Sequence, residues 1–465
     1  MLAEPSVSVL GADPAHRRCI LNGNAFQQDA ITTFNGWQYA AFYGNLGPGA
    51  APEPLYVHLA RRKLPYGQWN TLVFGDYPQT VDDGHNTVQL GICPGDGTIH
   101  LSYDHHCDVL RYRRSIRKVA SFPAQFAWTP ALFTPTLDYL PGLPPTHKLF
   151  GYVTYPRFGA MGDDNMFCSF RDGKAGLGND HLYIYHGGST GLFTFAGTPL
   201  TGIQSNPYVH GIDYRAGRLH VTWVYRGFVN YDGWDDPLDT KHKQQAGPNS
   251  AANNHDICYA YSDDQGYTWK NGSGEVIADL KEDGGTIDNK SEGIVAFRIP
   301  KGSGLMNQEA QAVDHDGGVH VLNRDTLDGG KHLWKHYYRS PEGKRAKWSF
   351  ALFSLLYAPT YLRTWRQQGI QPIDGTRRGR LAISKNGDLF LILPETTTPR
   401  IRILKATKAS GYSHYEKVWE GHGYTGEPLV DTARLEHDNV LSVFVRADVD
   451  GAMDKKNLVV LDFRL

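Results

Sequence analysis

Apolar and polar positions alternate along most of this chain in short runs, the period-two signature of half-buried strands. Seven times one run is joined to the next by a Gly, Asn or Asp turn: at Asn35-Gly36, Asp96-Gly97, Gly162-Asp163, Ala216-Gly217, Gly317-Gly318, Asn386-Gly387 and Asp438-Asn439. These residues supply the positive φ angles that a tight hairpin needs. A hairpin returning about every 50 to 100 residues predicts a radial array of small antiparallel sheets. The fold expected is therefore all-β, a seven-bladed β-propeller with four-stranded blades. A length of 465 residues would otherwise suggest several domains, but the repeat spans nearly the whole of it, so one domain over 1–465 is expected.

Within the repeat, the second unit predicts strands near 85–93, 99–103, 109–113 and 126–128. The last strand, near 458–463, has no fourth partner beside it, and the N-terminal run at 7–10 is expected to fill that place and close the ring, removing a bare sheet edge. Two insertions break the rhythm, near 230–254 and 271–300. Long loops in a compact fold are more often functional than accidental. Ser262-Asp-Asp-Gln-Gly-Tyr-Thr-Trp269 fits the Asp-box pattern S-x-D-x-G-x-T-W, a turn whose acidic side chain satisfies turn amides; it supports the fold without locating a site.

Composition agrees, with Gly 51, Tyr 26, Phe 20 and Trp 10. The net charge of −1 gives no footprint for nucleic acid or an anionic membrane, and no run of about 18 apolar residues predicts a transmembrane helix. Five cysteines are too few and too scattered for a disulfide framework. The start, Met-Leu-Ala-Glu-Pro-Ser, lacks the basic and apolar regions of a leader, which fits either an intracellular protein or one whose signal was removed. His255 and Cys258 form an H-x-x-C pair, placed by this reading at the blade end away from the site. Two residues are too short a fragment to assign zinc, so no metal is assigned.

The first two strands of a blade are antiparallel, so the start of the first and the end of the second share one rim. That rim collects His85, Asn86, His105 and His106 in the second unit, and Tyr152, Tyr155 and Arg171 in the third. The fourth adds Tyr208, His210 and Arg226, the fifth Asn307, Glu309 and Arg324, the sixth Arg377 and Arg378. Each alone is unremarkable, since a rim His or Tyr is usually packing or solvated; convergence from independent blades makes a candidate site. Glycoside hydrolysis uses two carboxylates, in which this rim is poor. His, Tyr and Arg suit a different task, removal of the proton α to a uronate carboxylate. A cation neutralises the carboxylate, one group takes the C5 proton, and another protonates the departing O4.

Asp83-Gly-His-Asn-Thr87, Ser102-Tyr-Asp-His-His106, Tyr152-Val-Thr-Tyr-Pro156, Ser169-Phe-Arg-Asp172, Asn206-Pro-Tyr-Val209 and the stretch from Asn254 to Asp264 carry a family resemblance. The chain resembles the seven-bladed propeller polysaccharide lyases with neuraminidase-type repeats, among them ulvan lyases and L-rhamnose-α-1,4-D-glucuronate lyases. Ulvan lyases show two histidines about 20 residues apart and an arginine 16 residues after a tyrosine; His85 and His105, Tyr155 and Arg171 have those spacings. The resemblance implies that His85 and Tyr155 are the acid/base pair, in either order, with His105 and Arg171 neutralising the carboxylate. Asn86, His106, Tyr152, Tyr208, His210, Arg226 and Arg377 would contact sugars; a one-residue slip would exchange His106 with His105. The implied protein is secreted, monomeric and free of any required cofactor, acting on rhamnose- and glucuronate-containing polysaccharides such as arabinogalactan-type gums and releasing terminal rhamnose. An α-L-rhamnosidase and an ulvan lyase are the alternatives. A non-catalytic sugar-binding propeller would instead rely on platforms such as Trp37, Trp223 and Trp334, and a sialidase would show several Asp boxes.

Overall fold

The computed structural model describes residues 1–14, 16–47, 51–236, 238–239, 247–326, 329–330, 332–341, 365–449 and 452–465, with side chains left out at 452–454. Seven antiparallel sheets follow one another as blades of a propeller. Blade 1 holds Ile31–Phe34, Trp37–Gly44, Leu55–Lys63 and Asn70–Gln79, and blades 3, 5 and 6 repeat the same up-and-down order. Blade 7 closes as expected: the N-terminal strand Ser6–Ala12 pairs with the C-terminal strand Ala452–Arg464, Val9 facing Val459.

Six of the seven predicted turns join the first two strands of a blade. Asn35-Gly36 and Ala216-Gly217 are clear cases, each with positive φ at both residues. The seventh differs. Asp431 caps a short helix, Thr432–Asp438, by accepting from the Arg434 amide, and Asn439 is the left-handed residue that ends it. The Asp438-Asn439 signal is thus a helix terminus, which needs the same φ > 0 as a hairpin.

Blades 2 to 4 depart from four strands; blade 3 gains a fifth, His106–Asp108, paired with Val153–Met161. In blade 2 the stretch 126–128 forms no strand; isolated bridges at Leu137 and Phe133 stand along that edge instead. In blade 4 the stretch 271–300 is no free insertion, because Val276–Asp279 pairs with Thr268–Lys270 and Val295–Phe297 pairs with Asn254–Ser262. The Asp box forms as read: Asp264 accepts from the Thr268 amide at 2.7 Å, Ser262 Oγ from Gly266 at 2.8 Å, and the Trp269 indole is buried. Trp223 and Trp334 are core residues, and Trp37 packs beside the Arg61 guanidinium at 5.0 Å, so none is an open sugar platform. All five cysteines are free thiols.

Candidate active site

Strand pairing delivers the rim. Val88 faces Tyr103, Thr154 faces Arg171 and Asn206 faces Arg226, so in blades 2 to 4 the start of the first strand meets the end of the second at one mouth. A cavity of about 690 Å³ opens there. His85, His106, Tyr155, Arg171, Tyr208 and Arg226 line one side; Asn307, Arg377, Arg378 and Glu427 line the other, and the N-terminal segment contributes Arg18, Asn24 and Phe26.

Asp83 organises the histidines. One carboxylate oxygen accepts from the His85 amide at 2.9 Å and lies 2.5 Å from His85 Nδ1; the other lies 2.6 Å from His106 Nδ1. The two imidazoles stack at 3.9 Å, 20° from parallel, and Phe26 stacks on His85 at 5.0 Å. When each Nδ1 donates to Asp83, each Nε2 is the nitrogen left to act on a ligand. Burial pushes the His106 imidazole down to about 3, and its neighbour His85 adds to that, so His106 is neutral near pH 7. Burial alone would raise the Asp83 carboxyl, but the hydrogen bonds of His106 and His85 outweigh it and hold it well below the usual range. Asp83, His85 and His106 are also the one group among the described residues with ligand atoms within 4.8 Å of one another, a set that could hold a metal ion.

Tyr155 sits where the pairing of Val153–Met161 with Asn165–Arg171 slips, between Thr154 and Arg157, and it has φ of +56°. A bulky residue in the left-handed region is strained, and such strain clusters at functional positions. Burial raises the Tyr155 phenol, as does Tyr208, while Arg171, Arg226 and Arg378 pull it back. Arg171 is 3% exposed and lies 5.2 Å and 5.0 Å from the ring centres of Tyr155 and Tyr208. Its Nη2 donates to the Gly173 carbonyl, but Nε and Nη1 have no protein hydrogen-bond partner. A buried cation with unspent donors is costly until an anion accepts them.

Four expected residues do not reach the cavity. His105 is buried, its Nε2 accepts from the Arg111 amide at 2.8 Å, and burial with Arg111 pushes its pKa well below the usual value. His106 takes the open position because Asp104 and Cys107 both adopt positive φ, and His106–Asp108 crosses to pair with blade 3. Asn86 is buried, donating to Asp104 at 2.6 Å. His210 lies beneath the mouth, accepting from the Glu309 amide, and burial lowers it to about 3. Tyr152 is turned to the Cys107 thiol and is not in the lining. His255 is at the mouth end of blade 4, not the far end, because it faces Tyr225 near the end of the preceding strand. Asp83, Phe26, Asn24 and Glu427 were not singled out from the sequence. The spacing of Asp83 two residues before His85 was the available sign, since Asp at that offset makes a local turn; the irregular segment holding Phe26 carried no such sign.

Fold and cavity define a seven-bladed propeller with a basic, aromatic-lined cavity at the ring's mouth. Residues 37–351 match the family described as BNR repeat-containing family member, and the chain belongs to that family. An ulvan lyase (long isoform) of Pseudoalteromonas sp. (strain PLSV) is 26% identical over 291 residues, which cover 54% of this chain and 26% of that protein. The ulvan lyase of Alteromonas sp. is 27% identical over 290 residues, with the same shares. The matched stretch thus spans about a quarter of these relatives' length. Among solved structures, the polysaccharide lyase Uly1 superposes with a TM-score of 0.69 at 18% identity over 100% of both chains. An ulvan lyase of the PL25 family gives 0.63 at 13% identity, over 99% of this chain and 96% of that one. At these identities the superpositions establish the fold, and the resemblance to the propeller polysaccharide lyases is borne out.

Proposed function

We propose that this chain is a polysaccharide lyase that cleaves an L-rhamnose-α-1,4-D-glucuronate linkage by β-elimination, acting outside the cell on chain ends and releasing terminal rhamnose. The observation that carries the reading is Arg171, whose unspent donors lie between Tyr155 and Tyr208 in the cavity that the His85–Asp83–His106 group also lines. The names of the relatives support the reaction class.

In this reading the uronate carboxylate accepts from Arg171, which withdraws charge and acidifies C5–H. His106 stands where His105 was expected; with its Nδ1 hydrogen on Asp83 its neutral Nε2 accepts, so it contributes by holding Asp83 against His85 and by accepting from a sugar hydroxyl. Tyr155 and His85, ring centres 5.7 Å apart, form the acid/base pair. One takes the C5 proton; the electron pair left behind forms the C4=C5 bond as C4–O4 breaks, and the other gives its proton to O4. Burial keeps the Tyr155 phenol protonated in the free protein, which suits it to the proton-donating role. Hydrolysis by a rhamnosidase fits less well. Of the acidic side chains in the lining, Asp83 is bound by two histidines, Glu427 by Arg378 and the Ala25 amide, and Asp82 by the Arg18 and Cys19 amides. Asn249, Ser250 and Ala251, from the predicted insertion, line part of the cavity wall, which supports action on chain ends. The names of the relatives favour ulvan as the alternative polymer.

The test is to incubate the protein with a rhamnose-capped glucuronate glycan and, separately, with ulvan, following ultraviolet absorbance beside released rhamnose. Rising absorbance with free rhamnose on the capped glycan is expected. Absorbance on ulvan alone would replace the polymer, and rhamnose without absorbance would replace the reaction.

A further inference from the structure

The contact with Asp83 fixes one atom of the His85 ring, Nδ1. The last torsion of a histidine is broad, so the plane of the ring and the aim of Nε2 need a second constraint. Phe26 supplies it. Its ring lies 5.0 Å from the His85 imidazole and only 10° from parallel, while His106 stacks on the same imidazole at 3.9 Å. The Phe26 ring also leans on Tyr155, 4.9 Å between centres at 50°, and packs against the apolar cluster that holds Tyr155 and Tyr208. One phenyl ring therefore touches both His85 and Tyr155, whose own centres are 5.7 Å apart.

Phe26 comes from outside the repeat, on the irregular stretch between Ser6–Ala12 and Ile31–Phe34. That stretch is anchored to two blades. The Ala25 amide donates to Glu427 at 2.7 Å, and the Gly23 carbonyl accepts from the Glu427 amide at 2.7 Å, both ties to blade 7. On the other side the Phe26 carbonyl accepts from Gln89 at 2.9 Å, and Gln27 donates to the Val88 carbonyl at 3.1 Å, both ties to blade 2. The Phe26 amide donates to Asn24 at 3.0 Å, and the Arg378 guanidinium sits over the ring, 4.7 Å from its centre. A side chain mounted on so many fixed points is preorganised rather than free to swing.

We infer that Phe26 is a positioning residue for the elimination. Its ring sets the plane of the His85 imidazole and the spacing between His85 and Tyr155, so that both groups meet one sugar in register. The role rests on reading those two as the acid/base pair. A phenyl ring has no donor or acceptor to offer a sugar, so Phe26 acts through its neighbours. A displacement of about 1 Å in a reacting group costs on the order of a hundredfold in rate. A ring that merely filled space would be felt in stability instead, through the cavity its loss leaves.

The test uses Phe26→Leu, which keeps an apolar side chain and removes the ring, and Phe26→Tyr, which keeps the ring. On a uronate substrate followed by ultraviolet absorbance, Phe26→Leu is expected to lower kcat at least about tenfold with KM within about threefold of wild type. Phe26→Tyr is expected to restore most of that loss. Nitrogen NMR of the histidines, with the His85 signals assigned by their loss in His85→Gln, reads the ring itself. Wild type is expected to show one tautomer with the hydrogen on Nδ1, and Phe26→Leu a mixture of two. Unchanged kcat in Phe26→Leu, a rise in KM alone, or a loss matched by the unfolded fraction overturns the role. Absence of ultraviolet product with wild type would overturn the elimination instead, and the nitrogen spectrum then decides on Phe26. Unchanged His85 signals in Phe26→Leu overturn the positioning role, and mixed tautomers uphold it.

Discussion

At the scale of single residues, two side chains a position apart have opposite fates, and that makes the site testable. His106 shares Asp83 with His85, whereas His105 is sealed behind Arg111. His106→Ala is therefore expected to cut kcat by at least about a hundredfold with the melting temperature little changed, the scale of one lost proton-transfer or charge-stabilising group. His105→Ala is expected to lower stability by about 1–3 kcal/mol, the cost of stranding the Arg111 amide, with activity per folded molecule retained. Activity and thermal unfolding on both variants check this, and a reversed pattern would return the role to His105. Tyr155→Phe removes one hydroxyl and is expected to keep the fold while losing more than about nine-tenths of turnover; a variant retaining over a tenth would strip Tyr155 of its role. His85, Tyr155 and Arg171 were legible in the sequence because hairpin pairing fixes which strand ends share a rim. The choice between His105 and His106 was not, because it turns on positive φ at Asp104 and Cys107, and neither residue type announces it as glycine would.

At the scale of elements, the turns were legible wherever a glycine or asparagine had to take a left-handed conformation, and six of seven did so within a blade. The helix Thr432–Asp438 escaped because its terminal Asn439 has the same backbone need as a hairpin. The outer strands of blade 4 escaped because Val276–Asp279 and Val295–Phe297 are only four and three residues long, too short for a period-two pattern, so only pairing with the blade defines them. The Asp box was legible since each of its side chains has a local partner. Its Trp269 anchors the turn from inside the core, so Trp269→Ala is expected to cost about 3–5 kcal/mol, measurable by chemical denaturation. A loss under about 1 kcal/mol would mean that the turn holds without its anchor.

For the whole molecule, closure by Ser6–Ala12 makes both chain ends part of one sheet, and stability depends on the protons that the buried core takes up on unfolding. His100, His220, His320 and His336 are buried, and burial is the first cause lowering each of them. A histidine lowered in the folded state binds its proton more tightly when unfolded, so stability is fully present above the unfolded value of about 6.5 and lost as pH falls below it. Urea unfolding is expected to give a flat free energy from about pH 7 to 8 and a steep decline from about pH 6 to 5. A constant stability down to pH 5 would contradict the neutral, buried state of these imidazoles.

The central claim, that a His/Tyr/Arg site at the propeller mouth eliminates rather than hydrolyses, is tested most directly by the mass of the new non-reducing end released from a rhamnose–glucuronate oligosaccharide. The account predicts a uronate one water lighter than the hydrolysis product and absorbing in the ultraviolet, formed by wild type and lost in Tyr155→Phe. A saturated uronate of full mass would contradict it.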